Sequence, residues 1–199
     1  MPSDEITTIT TLSKPTIHLR RLRSQAIQTV LSMLVGSLTI AAGAQLEIKL
    51  PFTPVPITGQ TLAIAIVGMV LGPSKGLATV ALYLAEGSAG LPVFSGGGAG
   101  IQHLIGPTGG YLVGFLGSAY VAGLARSKSY TRHPIGIFVT VLAASIPIFL
   151  VGVLRLSAFT GSVSSAVAAG LIPFIPGDIT KSMFSALVLP MLSRQFRSK

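Results

Sequence analysis

The sequence predicts an all-α membrane protein of six transmembrane helices, with both termini cytoplasmic and Gly/Pro-rich loops on the outer face. Three observations carry this expectation. Half of the 199 residues are apolar and only 10% are charged, against roughly 25% charged residues in a soluble domain. Mean hydropathy is +0.75, and apolar runs of bilayer-crossing length recur along the chain, where backbone groups must be satisfied within each segment. The 14 basic residues, which set a net charge of +9, gather at alternate ends of those runs. A water-soluble globule is excluded by this composition. The absence of cysteine also excludes disulfides, thiolate metal sites and cysteine nucleophiles.

Residues 1–23 read as a polar, basic cytoplasmic tail that ends in Arg20, Arg21 and Arg23. The membrane domain is expected over 24–194, and 195–199 form a basic cytoplasmic C-terminus. Ser24 to Ala44 is almost uncharged, and at about 1.5 Å per residue it reaches roughly 31 Å, close to the bilayer core. The basic cluster, the apolar stretch and Ala42-Gly43-Ala44 imitate a signal peptide. The stretch exceeds the usual 7 to 15 residues, roughly, and further spans follow, so a first span is the better reading.

Five further spans are placed at Thr58 to Leu71, Gly76 to Ala89, Thr108 to Ala125, Ile135 to Leu154 and Asp178 to Leu192. The second and third are short, which calls for packing among longer helices or for irregular backbone buried within the bundle. Ala158 to Leu171 is rich in Ser, Ala and Gly and is expected as an interfacial helix or loop.

Charge tests the count. With the N-terminus inside, Lys14, Arg20, Arg21, Arg23, Lys75, Arg126, Lys128, Arg132, Arg194, Arg197 and Lys199 are cytoplasmic, which is 11 of the 14 basic residues. Lys49, Arg155 and Lys181 remain outside. That asymmetry is the positive-inside pattern of six spans, and it makes the net charge an orientation signal instead of a nucleic-acid footprint.

The acids point the other way. Asp4 and Glu5 lie in the tail, whereas Glu47, Glu86 and Asp178 map to outer span ends. Carboxylates at membrane depth are functional candidates because burial there is costly. Asp178 and Lys181 share one face of the last span, three residues apart. The stiff segment Pro173 to Gly177 delivers Asp178 to the helix N-terminus, where the macrodipole favours a carboxylate; capping explains Asp178 but not Lys181. Leu50 to Pro56 is a proline-stiffened connector leading to Gln60, a neutral donor and acceptor in an apolar wall. The glycine-rich segment 90–100 is expected to be a mobile cover, and Thr108 to cap the fourth span and leave a ready anion site.

Enzyme signatures are missing. Gly96 to Gly100 does not complete G-x-G-x-x-G, and Gly177 to Ser182 lacks the second glycine of a P-loop. His18, His103 and His133 are too dispersed for one metal. A lipid-modifying membrane enzyme would need a nucleophile or metal cluster, and a solute channel would show polar residues along a whole span.

Four segments then bear a resemblance. Leu50-Pro-Phe-Thr-Pro-Val-Pro-Ile-Thr-Gly-Gln-Thr-Leu, Gly90-Leu-Pro-Val-Phe, Gly106-Pro-Thr-Gly-Gly-Tyr and Pro176-Gly-Asp-Ile-Thr-Lys resemble the signature segments of the BioY family. This is the biotin-binding S component of energy-coupling factor (ECF) transporters. Gly59 departs from the pattern, standing where a larger apolar residue is expected.

The resemblance implies a multi-pass cell-membrane protein that captures biotin from outside. It implies no cofactor and no enzymatic activity of its own: a transmembrane T component and two ATPases supply the energy. Asp178 and Lys181 are assigned to the ureido end of biotin, with Gln60, Tyr83, Phe94, Tyr111 and Glu86 as further lining. The valerate carboxylate is left to the start of the fourth span, to Lys49 or to a water-exposed mouth. Ser32, Gly36, Ser37 and Ala41 put small residues at one-turn spacing on span one, and the resemblance implies that this face docks the T component. The physics of the residues alone asks for a small, mostly apolar solute with hydrogen-bonding groups, which leaves another vitamin open.

Overall fold

In a computed structural model of the chain, the described residues are 15–126 and 133–195, with side chains described over 23–126 and 133–190. Asp4, Glu5, Lys14, Lys128, Arg132, Arg197 and Lys199 lie outside the described residues, as do the side chains of His18, Arg20, Arg21 and Arg194. The chain divides into two compact units, residues 1–32 and 33–199.

Helix α1 runs Pro15–Gln45, so helical backbone begins inside the segment expected as a tail. In the first unit, Ser32 Oγ donates to the Thr29 carbonyl at 2.7 Å. The second unit begins within α1 and continues with a short antiparallel ribbon, β1 (Glu47–Ile48) and β2 (Ile57–Thr58), pairing Glu47 with Thr58. Helices α2 (Gln60–Leu71), α3 (Pro73–Ser88), α4 (Gln102–Ile105) and α5 (Gly109–Leu124) follow. After them come α6 (Pro134–Thr160), α7 (Val163–Gly170), a 3-10 turn at Ile172–Phe174 and α8 (Ile175–Gln195).

Among the described residues, three helical stretches are long and apolar enough to cross a membrane: Arg23–Gln45, Pro134–Thr160 and Val163–Pro190. Helix α6 shows why. Its buried face carries Ile137, Val141, Ala144 and Ile148, while the exposed face carries Val139, Ile146, Leu150 and Leu154. A helix apolar all round, with large aliphatics on its open side, belongs in lipid. The shorter α2 and α5 lie against other helices, α2 against α3 and α5, and α5 against α2, α3 and α6.

Glycine makes that packing close. A Cβ on Gly114 of α5 would stand 2.7 Å from Ile148 Cα and 2.8 Å from the Pro147 carbonyl oxygen of α6. The two backbones therefore touch, the arrangement small residues permit between membrane helices. Gly59 is of the same kind: its N–H donates to the Gly43 carbonyl at 3.0 Å, and a Cβ there would stand 2.9 Å from that oxygen. The larger residue expected at 59 has no room, because α1 and the start of α2 meet through two glycines.

Other boundaries differ from expectation. Helix α6 continues past Leu154 to Thr160 and stops at Gly161, whose φ of 77° suits a left-handed cap. The Ala158 to Leu171 region thus supplies the end of α6 and all of α7, which starts at Ser162 accepting from Ser165 N–H at 3.1 Å. The stiff turn expected at 173–177 is instead split. Pro173 belongs to the 3-10 turn, and Pro176 and Gly177 already lie in the first turn of α8, where proline's missing N–H costs nothing.

The small residues of α1 that lie in the second unit meet the chain's own side chains. Gly36 and Ser37 are buried within the chain's own helices. A Cβ on Gly36 would meet Thr79 Cγ2 of α3 at 2.8 Å, and Ser37, 1% exposed, donates to the Glu86 carboxylate. Ala41 packs on the main core cluster. Large side chains, Leu34, Val35 and Leu38, occupy the exposed side of α1 instead.

Adding one methyl at the Gly43–Gly59 contact tests this packing. Gly59→Ala should destabilise the protein by about 1 to 3 kcal/mol, read as a lowered apparent Tm in detergent. An unchanged Tm would mean that the two backbones separate freely.

Candidate functional site

A cavity of about 600 Å³ opens among the β1–β2 connector, the loop before α5, and helices α2, α5, α6 and α8. The proline-rich connector forms one wall through Thr53 to Pro56, and Tyr111, Leu112, Phe115, Ile148, Phe149 and Phe174 give an apolar interior. Five predicted site residues line it together: Asp178, Lys181, Gln60, Tyr111 and Phe94.

Each polar member is held by the protein itself. Asp178 is buried, and its Oδ1 accepts from Ser145 Oγ of α6 at 2.9 Å. Lys181 Nζ donates to the Thr58 carbonyl at 2.6 Å and to Thr61 Oγ1 at 3.0 Å. Three positions apart on α8, the two side chains therefore turn apart, the acid toward α6 and the base toward β2 and α2. No ion pair joins them among the described residues, so the two heads do not meet as their spacing suggested. What remains is an acceptor and a donor set into one cavity: carboxylate Oδ2, and one of the three N–H bonds of the ammonium.

Gln60 is nearly fully buried. Its Oε1 accepts from Thr58 Oγ1 at 3.0 Å, its Nε2 donates to Tyr83 OH at 2.7 Å, and Tyr83 OH donates to the Val93 carbonyl at 3.0 Å. A hydrogen-bond relay thus runs from the cavity wall to the glycine-rich loop. Tyr83 itself, fully buried, is absent from the cavity lining and stands one layer behind it, contrary to expectation. Glu86 also falls outside the lining, its carboxylate engaged by Ser37. Tyr111 meets the cavity with its ring while its OH donates to the Gly170 carbonyl at 2.9 Å, tying α5 to the end of α7.

The loop expected to be a mobile cover is a folded one. Phe94 is 2% exposed, stacked edge-on against Tyr83 at 5.6 Å and beside His103 at 5.4 Å. A Cβ at Gly87 would collide with its ring, so Gly87 makes the socket. Gln45 Nε2 donates to the Phe94 carbonyl at 3.1 Å, and Gly100 N–H to the Gly87 carbonyl at 2.7 Å. Gly96, with φ of 63°, lets the loop pass Glu47, whose Oε1 would be 2.6 Å from a Cβ there. Glu47 in turn pairs with Lys49 at 3.1 Å.

Thr108 lines the cavity but makes no side-chain cap for α5. Sequence reasoning also passed over residues that the fold brings in. Ser145 is one of two hydroxyls, with Thr140, in an otherwise apolar span, Thr61 follows Gln60 in the quoted segment, and His103 carries no signal beyond that of a metal ligand. Phe149 and Phe174 carry no sequence signal beyond being apolar.

A helical membrane protein with a largely apolar cavity, and with the Asp178 carboxylate and the Lys181 ammonium anchored separately at its wall beside the Glu47–Lys49 ion pair, has the makings of a solute-binding subunit. Comparison with known proteins makes the class specific. Residues 13–198 match the BioY family. A probable biotin transporter BioY from Pyrococcus horikoshii is 35% identical over 152 residues, 76% of this chain and 88% of that protein. Biotin transporter BioY2 from Lactococcus lactis subsp. cremoris is 37% identical over 152 residues, 75% of this chain and 81% of that protein. A crystal structure of the S-component for biotin from an ECF-type ABC transporter aligns with a TM-score of 0.76 at 30% identity, covering 86% of this chain and 93% of that one. The chain belongs to the BioY family.

The relay behind the cavity has a measurable consequence. Tyr83→Phe leaves Gln60 Nε2 and the Val93 carbonyl without their shared partner, a cost of about 1 to 3 kcal/mol. Amide hydrogen exchange across 90–101 should speed up in that variant; unaltered exchange would show that the loop is held without it.

Proposed function

We propose that this chain takes up biotin, binding it in the cavity between Asp178 and Lys181. The observation that carries the reading is the division of these two groups: each is fixed by its own partners, Ser145 on one side and Thr58 with Thr61 on the other. Biotin's ureido ring presents two N–H donors and one carbonyl. Asp178 Oδ2 takes an N–H and the Lys181 ammonium takes the carbonyl, both charge-assisted bonds of the stronger kind. The thiophane ring then lies against Phe115, Ile148 and Phe149, which line the same cavity. The valerate carboxylate is assigned to the mouth, where Lys49 and Thr108 belong to the lining and the Lys49 side chain is 80% exposed.

In this reading the protein is the S component of an ECF-type transporter in the cell membrane, energised by a T component and two ATPases. The relatives' names and the S-component likeness support it. Six spans with both termini cytoplasmic follow from the basic residues. Lys75 and Arg126 sit at the α2–α3 junction and after α5, Lys49 and Arg155 before α2 and late in α6. Opposite ends of the helices thus carry the two sets, as the positive-inside rule asks.

Equilibrium titration of biotin into the purified, detergent-solubilised chain tests the substrate. Binding should be saturable, and Asp178→Asn should weaken it by about 2 to 5 kcal/mol, because an amide cannot replace a desolvated acceptor. No saturable binding sinks the biotin reading; normal affinity in the variant sinks the role of Asp178.

Orientation can be read separately. Because the chain has no cysteine, Ser3→Cys and Ser198→Cys each introduce a single label site. Both should be protected from an impermeant thiol reagent in intact cells and labelled after lysis. Labelling of either one in intact cells would overturn the six-span arrangement.

A further inference from the structure

The solute cavity has a counterpart at the other end of α2 and α5. Gln60 opens α2 and Thr108 precedes α5 at the solute cavity. A second cavity, of about 530 Å³, lies where α2 ends, α3 begins and α5 stops, lined by residues 71–75, Gly123, Leu124 and Arg126. We infer that this second cavity holds the phosphodiester headgroup of an anionic phospholipid.

Its construction argues for a ligand of two chemistries. Gly123 lets the last turn of α5 abut the junction, since a Cβ there would run into the Pro73 backbone. Gly72 has φ of 85°, and a Cβ on it would stand 3.2 Å from Arg126 Cδ. Arg126 therefore lies across a glycine, anchored by Nη1 donating to the Leu71 carbonyl at 2.7 Å. That single bond fixes the guanidinium and leaves the rest of its donor fork for an anion. Lys75 and the Ser74 hydroxyl, both exposed, share the lining, which contains no acidic side chain among the described residues.

Directly beside these polar groups the surface turns apolar. Leu124 is in the lining, and Val70, Leu77 and Tyr120 are exposed on the same three helices. Cations at the ends of membrane helices, with aliphatic and aromatic side chains continuing down the helix, match a charged headgroup and its acyl chains. A basic cavity between helices on the cytoplasmic side is where anionic lipid is recognised. A free phosphate shares the headgroup chemistry but has no use for the apolar flank, and the lipid is therefore the assigned source.

Native mass spectrometry of the full chain, released from micelles containing equimolar phosphatidylglycerol and phosphatidylcholine, tests the assignment. Phosphatidylglycerol should be retained in preference by roughly 25-fold, with about fivefold from each cation. Lys75→Gln and Arg126→Gln should each remove about fivefold, while Arg155→Gln, an equal loss of charge at the opposite end of α5, should leave the preference intact. Lys75→Gln spares the bond to the Leu71 carbonyl, so its result stands even if Arg126→Gln unsettles the junction. Equal retention of the two lipids, or the same loss in Arg155→Gln, overturns the site. Inorganic phosphate titrated alone into the lipid-free chain should show no binding below millimolar concentration; tighter binding would make this a free-anion site and overturn the lipid assignment.

Discussion

Polar groups carried into an apolar bundle must find hydrogen-bond partners there, since no water waits to replace them. The solute cavity is arranged around that constraint. Gln60 is satisfied by Thr58 and Tyr83, Lys181 by Thr58 and Thr61, and Asp178 by Ser145. These bonds do two things at once. They hold the site in shape, which reduces the ordering cost when a solute enters, and they use only part of the capacity of the two charged groups. A site already collapsed into an Asp–Lys ion pair would offer a ligand much less, because the pair would first have to be broken.

The same bonds connect the cavity to its cover. Thr58 lies on the short ribbon, Gln60 starts α2, Tyr83 lies on α3 and Val93 in the loop, so one chain of hydrogen bonds joins four successive segments. Phe94 adds a packing anchor in the socket at Gly87. The cover is thereby folded in place, and opening it means withdrawing a buried aromatic ring and breaking the Gln45 contact as well. Apolar burial of a ring of this size contributes on the order of 2 kcal/mol, an amount that thermal opening can meet but that favours the closed form.

Close backbone approach is the other requirement. Gly114 on Ile148, Gly59 on Gly43 and Gly123 on Pro73 remove side chains where helices cross or meet. Without a hydrophobic drive between lipid-immersed helices, such contact supplies dispersion energy that larger residues would forfeit by holding the backbones apart. It also explains the fate of span one. Gly36 and Ser37 are small because Thr79 and Glu86 lie against them, and the outward face of that helix is left to Leu34, Val35 and Leu38.

Composition, the apolar character of the helices and the residues of the four signature segments were legible in the sequence, because lipid demands apolar runs and because proline, glycine and charge stand out against them. The gathering of Asp178, Lys181, Gln60, Phe94 and Tyr111 was legible too, through their common placement at one end of the apolar segments. The sequence could not say which way each side chain turns. Spacing of three on a helix allowed Asp178 and Lys181 to pair, yet neighbouring helices offered Ser145 and Thr61 as competing partners, and only their packing decides the outcome. Tyr83 and Glu86 looked like lining for the same reason, being polar groups near the right end of a span, and the rotation of α3 about its axis put both behind the wall. One-turn spacing of small residues on α1 marked a close contact, and within the chain Thr79 and Glu86 are what meet Gly36 and Ser37. Periodicity along one helix specifies a face; which surface covers that face is a property of the assembled bundle, where chain segments separated by tens of residues come into contact.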